Sequence, residues 1–238
     1  MVKKFVFPVS IALAFMLSSV GTGILSAKTA ADEQDRAVKA AEVLTEIMGT
    51  PDKGIPDELM ERAEAIAVFP HVIKGALGIG GEYGHGLVSQ RMANGRWSAP
   101  AYIKIGGGSF GFQIGGSSTD IVLVFTDRKG YEGLLNGKVK LGADAAVAAG
   151  PVGRNAQAGT DIKLDSPILA YSRSRGLFAG IALDGAVVTT DDSANELVYG
   201  RAYTGREILM EGRAPINNIV MPFVRALNRY SPAHHRTT

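Results

Sequence analysis

Gly75-Ala-Leu-Gly78-Ile-Gly80-Gly81-Glu-Tyr-Gly84 and, further on, Ile103-Lys-Ile-Gly106-Gly107-Gly108-Ser-Phe-Gly111-Phe-Gln-Ile-Gly115-Gly116 set glycines every few residues among β-branched and aromatic positions. The pattern extends from Ile66 to Leu183. Glycine in a strand gives up packing area and costs backbone entropy, so such density has to serve geometry. It serves close backbone approach, tight bends and bulges in a sharply curved sheet. The expected fold class is α+β: N-terminal helices packed on a curved, Gly-rich antiparallel β-barrel or sandwich. No constellation of catalytic side chains accompanies the block, so the chain reads as a binder before it reads as an enzyme.

Outward from this block the periodicity changes. Asp32 to Met48 repeats apolar residues at helical spacing, with Val38, Ala41, Leu44, Ile47 and Met48 on one side and charges on the other. Gly49 and Pro51 end that helix. A second helix starts near Pro56, with Asp57 and Glu58 in its first turn, where the dipole favours anions. Ala65 to Phe69 reads as a buried strand closed by Pro70. Gly86 to Arg91 and Trp97 to Ile105 flank Asn94-Gly95, a type I′ hairpin signal. Phe110 to Ile114 and Asp120 to Phe125 follow as strands, then a short helix over Lys129 to Leu135. Further short strands are expected at Ile162 to Leu164, Ile168 to Ser172, Leu177 to Leu183 and Ala186 to Thr190. A helix is expected over Asp192 to Tyr199. Met210 to Tyr230 reads as a looser helical tail, with Ser231 to Thr238 disordered.

The start of the chain, Met1-Val-Lys3-Lys4 and then an apolar run to Leu17 with small residues through Ala27, has the layout of a secretory signal peptide. Cleavage is expected after Ala27 or Ala31, with Ala27 favoured. The apolar run is short for a membrane span and is interrupted by Pro8. The chain has 25 Lys and Arg against 23 Asp and Glu. Loss of Lys3 and Lys4 with the leader balances the two, leaving no basic excess of the kind a nucleic-acid partner requires. There is no cysteine, hence no disulfide and no lipid-modified cysteine.

Several motif matches are literal but out of context. Gly106-Gly-Gly108-Ser-Phe-Gly111 satisfies G-x-G-x-x-G, yet an alternating strand pattern follows where dinucleotide binding needs a helix. Gly107-Gly-Ser109-Phe-Gly111 satisfies G-x-S-x-G. The only later histidines are His234 and His235 at the chain end, so a serine hydrolase using Ser109 is a weak alternative. His71 and His85 lack zinc-ligand spacing, and Asp144, Asp161, Asp184, Asp191 and Asp192 read as turn formers rather than calcium ligands. No metal and no cofactor is expected. Among the basic residues Lys74, Arg91, Lys104, Arg128, Lys129, Arg154, Arg173 and Arg175, most read as solvated faces.

Taken together and in order, several phrases resemble the SYLF lipid-binding domain family. They include Ala65-Ile-Ala-Val-Phe-Pro70, Val72-Ile-Lys74-Gly75, Trp97-Ser-Ala-Pro100-Ala-Tyr-Ile and Gly106-Gly-Gly-Ser-Phe-Gly111-Phe-Gln113-Ile-Gly115. Asp120-Ile-Val-Leu-Val, Ala149-Gly-Pro151-Val-Gly-Arg154 and Tyr171-Ser-Arg-Ser-Arg175-Gly176-Leu-Phe178-Ala-Gly180 complete the likeness. The resemblance implies phospholipid binding, phosphoinositide in eukaryotic members, with actin binding in a fungal branch and no catalysis. The expected organisation is a signal peptide over 1–27, an amphipathic helix and linker over 28–55, a SYLF-like domain over 56–200, and a helical tail with a disordered end over 201–238.

These readings converge on a non-catalytic phospholipid or membrane-surface binding protein of the bacterial envelope, periplasmic or secreted. The alternative is a structural or protein-interaction module of the periplasm with an envelope protein as partner. For an anionic head group the expected contacts are Lys74, Arg154, Arg173 and Arg175. Lys74 precedes the first glycine cluster, and Arg154 lies just past Gly150-Pro151, where backbone amides can turn toward a phosphate. Arg173 and Arg175 alternate on one strand face.

Overall fold

The computed structural model describes residues 28–50, 54–75, 81–107, 118–153, 166–174 and 176–232. Helix α1 (Ala30–Met48) opens on a capping box. The Thr29 hydroxyl accepts from the Asp32 N–H, while the Asp32 carboxylate takes the Thr29 N–H at 2.8 Å. Helix α2 (Asp57–Arg62) follows, then strands β1 (Ala65–Gly75), β2 (Gly81–Gln90), β3 (Ala101–Gly106) and β4 (Ser118–Phe125). Next come α3 (Arg128–Leu135), β5 (Lys138–Lys140), β6 (Val147–Ala149), β7 (Ile168–Ser174), β8 (Leu177–Gly180) and β9 (Val187–Thr190). Helices α4 (Asp192–Tyr199), α5 (Gly205–Leu209) and α6 (Met221–Tyr230) close the described chain.

The strands form a single sheet of order β5-β9-β3-β2-β1-β4-β7-β6, with β8 also on β7, curled into a half-barrel. The α+β class holds. The sheet is mixed rather than purely antiparallel, because β6 runs parallel to β7. Among the described residues the curl amounts to a half-barrel. Period-two alternation buries both faces. Ala65, Ala67, Phe69, Ile103, Ile105, Leu123 and Phe125 look into one core with Tyr131 and Leu134 of α3 and Ile208 of α5. Ile66, Val68, Leu87, Tyr102, Val122, Val124 and Tyr171 look into the other, where α1, α2, α4 and α6 cover them with Leu44, Ile47, Met60, Val198 and Phe223. A sheet covered on both sides explains why its central strands read as continuous apolar runs.

Three local expectations need correction. The first strand does not stop at Pro70 but runs to Gly75. Both of its ladders shift register around Pro70 and His71, so the missing proline N–H falls in a bulge and costs no ladder bond. His71 takes φ 56° there, and its N–H is held by Asp120 Oδ1 at 3.0 Å. The turn at Asn94-Gly95 is not type I′, which needs positive φ at both central residues. Only Gly95 is positive (77°); Gly95 N–H donates to Met92 O and Met92 N–H to Arg96 O, both at 2.8 Å, the pattern of a three-residue loop with a glycine bulge. Finally, the tail is not one loose helix. Asn217 turns the chain by accepting the N–H groups of Ile219 and Val220, and α6 starts only at Met221.

The end of the described chain is pinned rather than frayed. Ser231 is buried, and its carbonyl accepts from Trp97 Nε1 at 2.9 Å. The Arg91 guanidinium lies 4.5 Å over the Trp97 ring and donates to Ala63 O, Met60 O and Pro232 O. Residues 233–238, Phe110 to Ile114 and Ile162 to Leu164 lie outside the described residues. Among the described residues, no helix is long and apolar enough to cross a membrane.

Candidate functional site

One end of the sheet gathers the ends of β1, β3, β5 and β7 and the starts of β2, β4, β8 and β9. The registers Gly75↔Gly81, Ile73↔Ser118, Tyr83↔Gly106, Gly106↔Val187 and Ser174↔Leu177 fix this arrangement. Here large apolar side chains face water: Leu177 is 78% exposed, Ile73 63% and Tyr83 52%. Ile73 and Tyr83 are direct cross-strand partners. Scattered exposed apolar residues are ordinary, but three at one end of a sheet whose central strands are otherwise largely buried form a patch suited to docking.

Behind Tyr83 lies a cluster of charge. Tyr83 and His85 share a face of β2, with ring centroids 4.8 Å apart in an edge-on contact, and His85 pairs across the ladder with Lys104. Both side chains turn toward Asp191, the fully buried N-cap of α4. Lys104 Nζ stands 2.9 Å from Asp191 Oδ1, and His85 Nδ1 3.4 Å from Oδ2. Two more bases reach it from the start of α1: Lys28 Nζ at 3.3 Å and Arg36 Nη1 at 3.6 Å from Oδ2. Arg36 also pairs with buried Glu33 at 3.0 Å. Burial alone would raise the Asp191 pKa, but the polar groups of His85, Lys104 and Ser193 beside it outweigh burial and hold the carboxyl well below the usual range. Burial dominates at Glu33 and pushes its carboxyl up, against the attraction of Arg36 and Lys28.

Of the head-group residues expected from sequence, Arg173 is placed most fully. Its Nε and Nη2 grip Asp120 Oδ2 at 3.0 and 2.7 Å, and its Nη1 pairs with Glu46 of α1. The guanidinium is therefore committed to two carboxylates and ties α1 to the strand ends; a phosphate would have to compete for it. Lys74 stands on β1 opposite Glu82, one residue from Ile73. The Lys74 side chain, Arg154, Arg175 and Ser109 lie outside the described residues. Among the described residues, no three His, Cys, Asp or Glu converge as metal ligands. The basic cluster at Lys28, Arg36, His85 and Lys104 was not expected. Its members come from three distant segments, and their only local signal is that residues 83, 85 and 87 share one side of β2.

The sequence that folds into this glycine-rich curled sheet clasped by helices matches a known family. A family described as "Ysc84: Las17-binding protein actin regulator" matches residues 106–230, more than half of the chain. The chain is 36% identical over 169 residues to SH3 domain-containing YSC84-like protein 1 of Xenopus laevis, covering 68% of this chain and 50% of that protein. It is 34% identical over 182 residues to the Homo sapiens protein of the same name (74% and 53%), and 32% identical over 198 residues to protein YSC84 of Saccharomyces cerevisiae (79% and 42%). The chain belongs to the Ysc84 family, that of the SYLF domain. It spans about half the length of these curated relatives.

Proposed function

We propose that this protein is a non-catalytic binding module that docks on phospholipid surfaces through the apolar end of its sheet, and that it does so after export. The observation that carries this reading is the exposure of Ile73, Tyr83 and Leu177 at one end of the fold. Two hairpin ends present them, so insertion needs no rearrangement of the core. Apolar side chains set into the interface, with basic groups behind them at head-group depth, are the usual physical basis of peripheral attachment.

The test is co-sedimentation with liposomes. The double variant Ile73→Ser/Leu177→Ser is expected to lose at least about tenfold in partitioning, since each buried aliphatic side chain contributes roughly 1.5–3 kcal/mol. Its melting temperature should hold, because both side chains already face water. Undiminished vesicle binding by this variant would refute apolar insertion. The family's description as Las17-binding and actin-regulating supports a second reading, in which a protein partner covers the same end. Under that reading the wild-type protein ignores vesicles of every composition.

Export rests on the leader sequence. Intact-mass measurement on protein from its native host is expected to give a chain beginning after Ala27 or Ala31. A mass retaining Met1 would overturn it.

A further inference from the structure

We propose that Lys28, Arg36, His85 and Lys104 form a phosphate-binding site beside Tyr83, taking a phosphate monoester or diester; this deepens the membrane-surface reading above, rests on it for the source of that phosphate, and requires the leader to be cut after Ala27, since a cut after Ala31 removes Lys28. The argument is a count of donors against acceptors. A carboxylate offers about four lone-pair positions. At Asp191, Ser193 Oγ at 2.9 Å, Ala194 N–H at 3.4 Å and Lys104 at 2.9 Å crowd Oδ1, and Lys28 at 3.3 Å takes Oδ2. Arg36 Nη1 and His85 Nδ1 are buried near the same carboxylate without an aligned hydrogen bond. Each lysine ammonium has two further N–H groups for which no acceptor is present among the described residues. Glu33 Oε2 is also buried without an aligned partner, yet the positions left on Glu33 and Asp191 are fewer than the remaining N–H groups of Lys28, Lys104 and Arg36. Lys28, Arg36 and Lys104 set three cations against two carboxylates, a surplus of one positive charge.

The surplus faces outward. Asp191 and Glu33 are fully buried beneath the cluster, whereas the side chains of Lys28, Lys104 and His85 are 43%, 32% and 26% exposed. Arg36 is 10% exposed and backs them from below. An incoming phosphate thus meets the bases before it meets the carboxylates. It supplies the acceptor oxygens and the negative charge that the cluster lacks. The adjoining Tyr83 and Ile73 lie along the same end of the sheet, so a lipid whose tails meet those two residues carries its phosphate toward Lys104 and His85.

Two probes separate the site from the source of its ligand. Inorganic phosphate is titrated into the purified protein while the backbone amide resonances of His85 and Lys104 are followed. Sedimentation is measured with vesicles of pure phosphatidylcholine and of phosphatidylcholine mixed with phosphatidylglycerol. The variants are Lys28→Gln and Lys104→Gln, each removing one exposed charge, and Arg225→Gln on the exposed side of α6 as the matched loss of charge. Phosphate is expected to saturate, and Lys28→Gln and Lys104→Gln to weaken both phosphate and phosphatidylglycerol binding about fivefold, the effect of one basic residue at a membrane surface. Arg225→Gln should leave the phosphate titration unmoved. Linear, non-saturating shifts, or equal losses in all three variants, overturn the site. If the protein binds phosphatidylglycerol vesicles equally in all three variants, the site falls and the membrane reading stands. If phosphate saturates but neither vesicle binds, the site stands for free phosphate and the membrane reading falls.

Discussion

Replacing Gly86 with alanine is expected to destabilise the protein by about 3 kcal/mol or more, the upper range for overpacking a close-packed core. A Cβ at this position would stand 2.3 Å from the Val68 carbonyl oxygen and 2.6 Å from the Phe69 ring. The first contact is with the backbone of β1, which pairs on both sides with β2 and β4 and cannot retreat without opening a ladder. For a chain of this size such a loss lowers the melting temperature by roughly 6–12 °C. Gly176→Ala is the contrast. That residue has φ 77° and nothing near its added Cβ, so only the left-handed backbone penalty of about 1 kcal/mol applies. Thermal unfolding of the two variants side by side checks the claim. Equal, small shifts would mean that the glycines confer no close approach, and that the curl of the sheet has another origin.

That contrast shows how far the sequence could be read. Glycine density pointed correctly to a tightly curved sheet, because close approach leaves a compositional mark whichever strands are involved. Asp192 to Tyr199 and Asp120 to Phe125 were legible because each has an unambiguous period or an unbroken apolar run. Pro70 misled because its effect depends on what pairs with it. The bulge that accommodates it is set by Asp120, 49 residues further on, holding the His71 N–H. The parallel pairing of β6 was hidden for a similar reason. Val147 to Ala149 is too short to show a period, and its direction is settled only by docking on β7.

The charged residues were harder to read than the apolar ones. Apolar periodicity is a local signal, whereas an ion pair is a meeting of distant residues. Arg173 reads in sequence as an alternating surface base, yet it serves Asp120 and Glu46. Lys104 and Asp191 look like a solvated base and a turn former, yet they form the middle of the cluster that ties α1 to the sheet. The helix-capping role of Asp191 was implicit in Asp191-Asp192-Ser193 at the start of a helix. The four bases around it could not be assigned without the fold.

Asp191→Asn is the second substitution with a large expected effect, a loss of about 3–5 kcal/mol, as when one partner of a buried ion pair is removed. Asparagine keeps the shape and can still cap α4 toward Ser193 and Ala194, so the loss reports charge rather than a missing cap. Without the carboxylate, Lys28, Lys104 and Arg36 converge with only Glu33 to balance them. Adding Lys104→Gln to Asp191→Asn should therefore recover part of the stability, a non-additivity that a purely steric role would not give. Acid unfolding supplies the independent check. The Asp191 carboxyl is held below its ordinary value, so its contribution is fully present above an unfolded pKa of about 3.9 and is lost as the pH falls below it. Glu33 works in the opposite sense. Its carboxyl is raised by burial, so the fold binds its proton more tightly than the unfolded chain does, and stability declines as the pH rises from about 4.5 through the raised value. Wild-type stability is thus expected to gain as the pH falls through the raised Glu33 value toward about 4.5 and then to fall below about pH 4. In Asp191→Asn the first limb persists and the second is reduced. An acid limb of unchanged depth in Asp191→Asn would show that the stabilising carboxylate lies elsewhere, with Asp120 under Arg173 the next to replace.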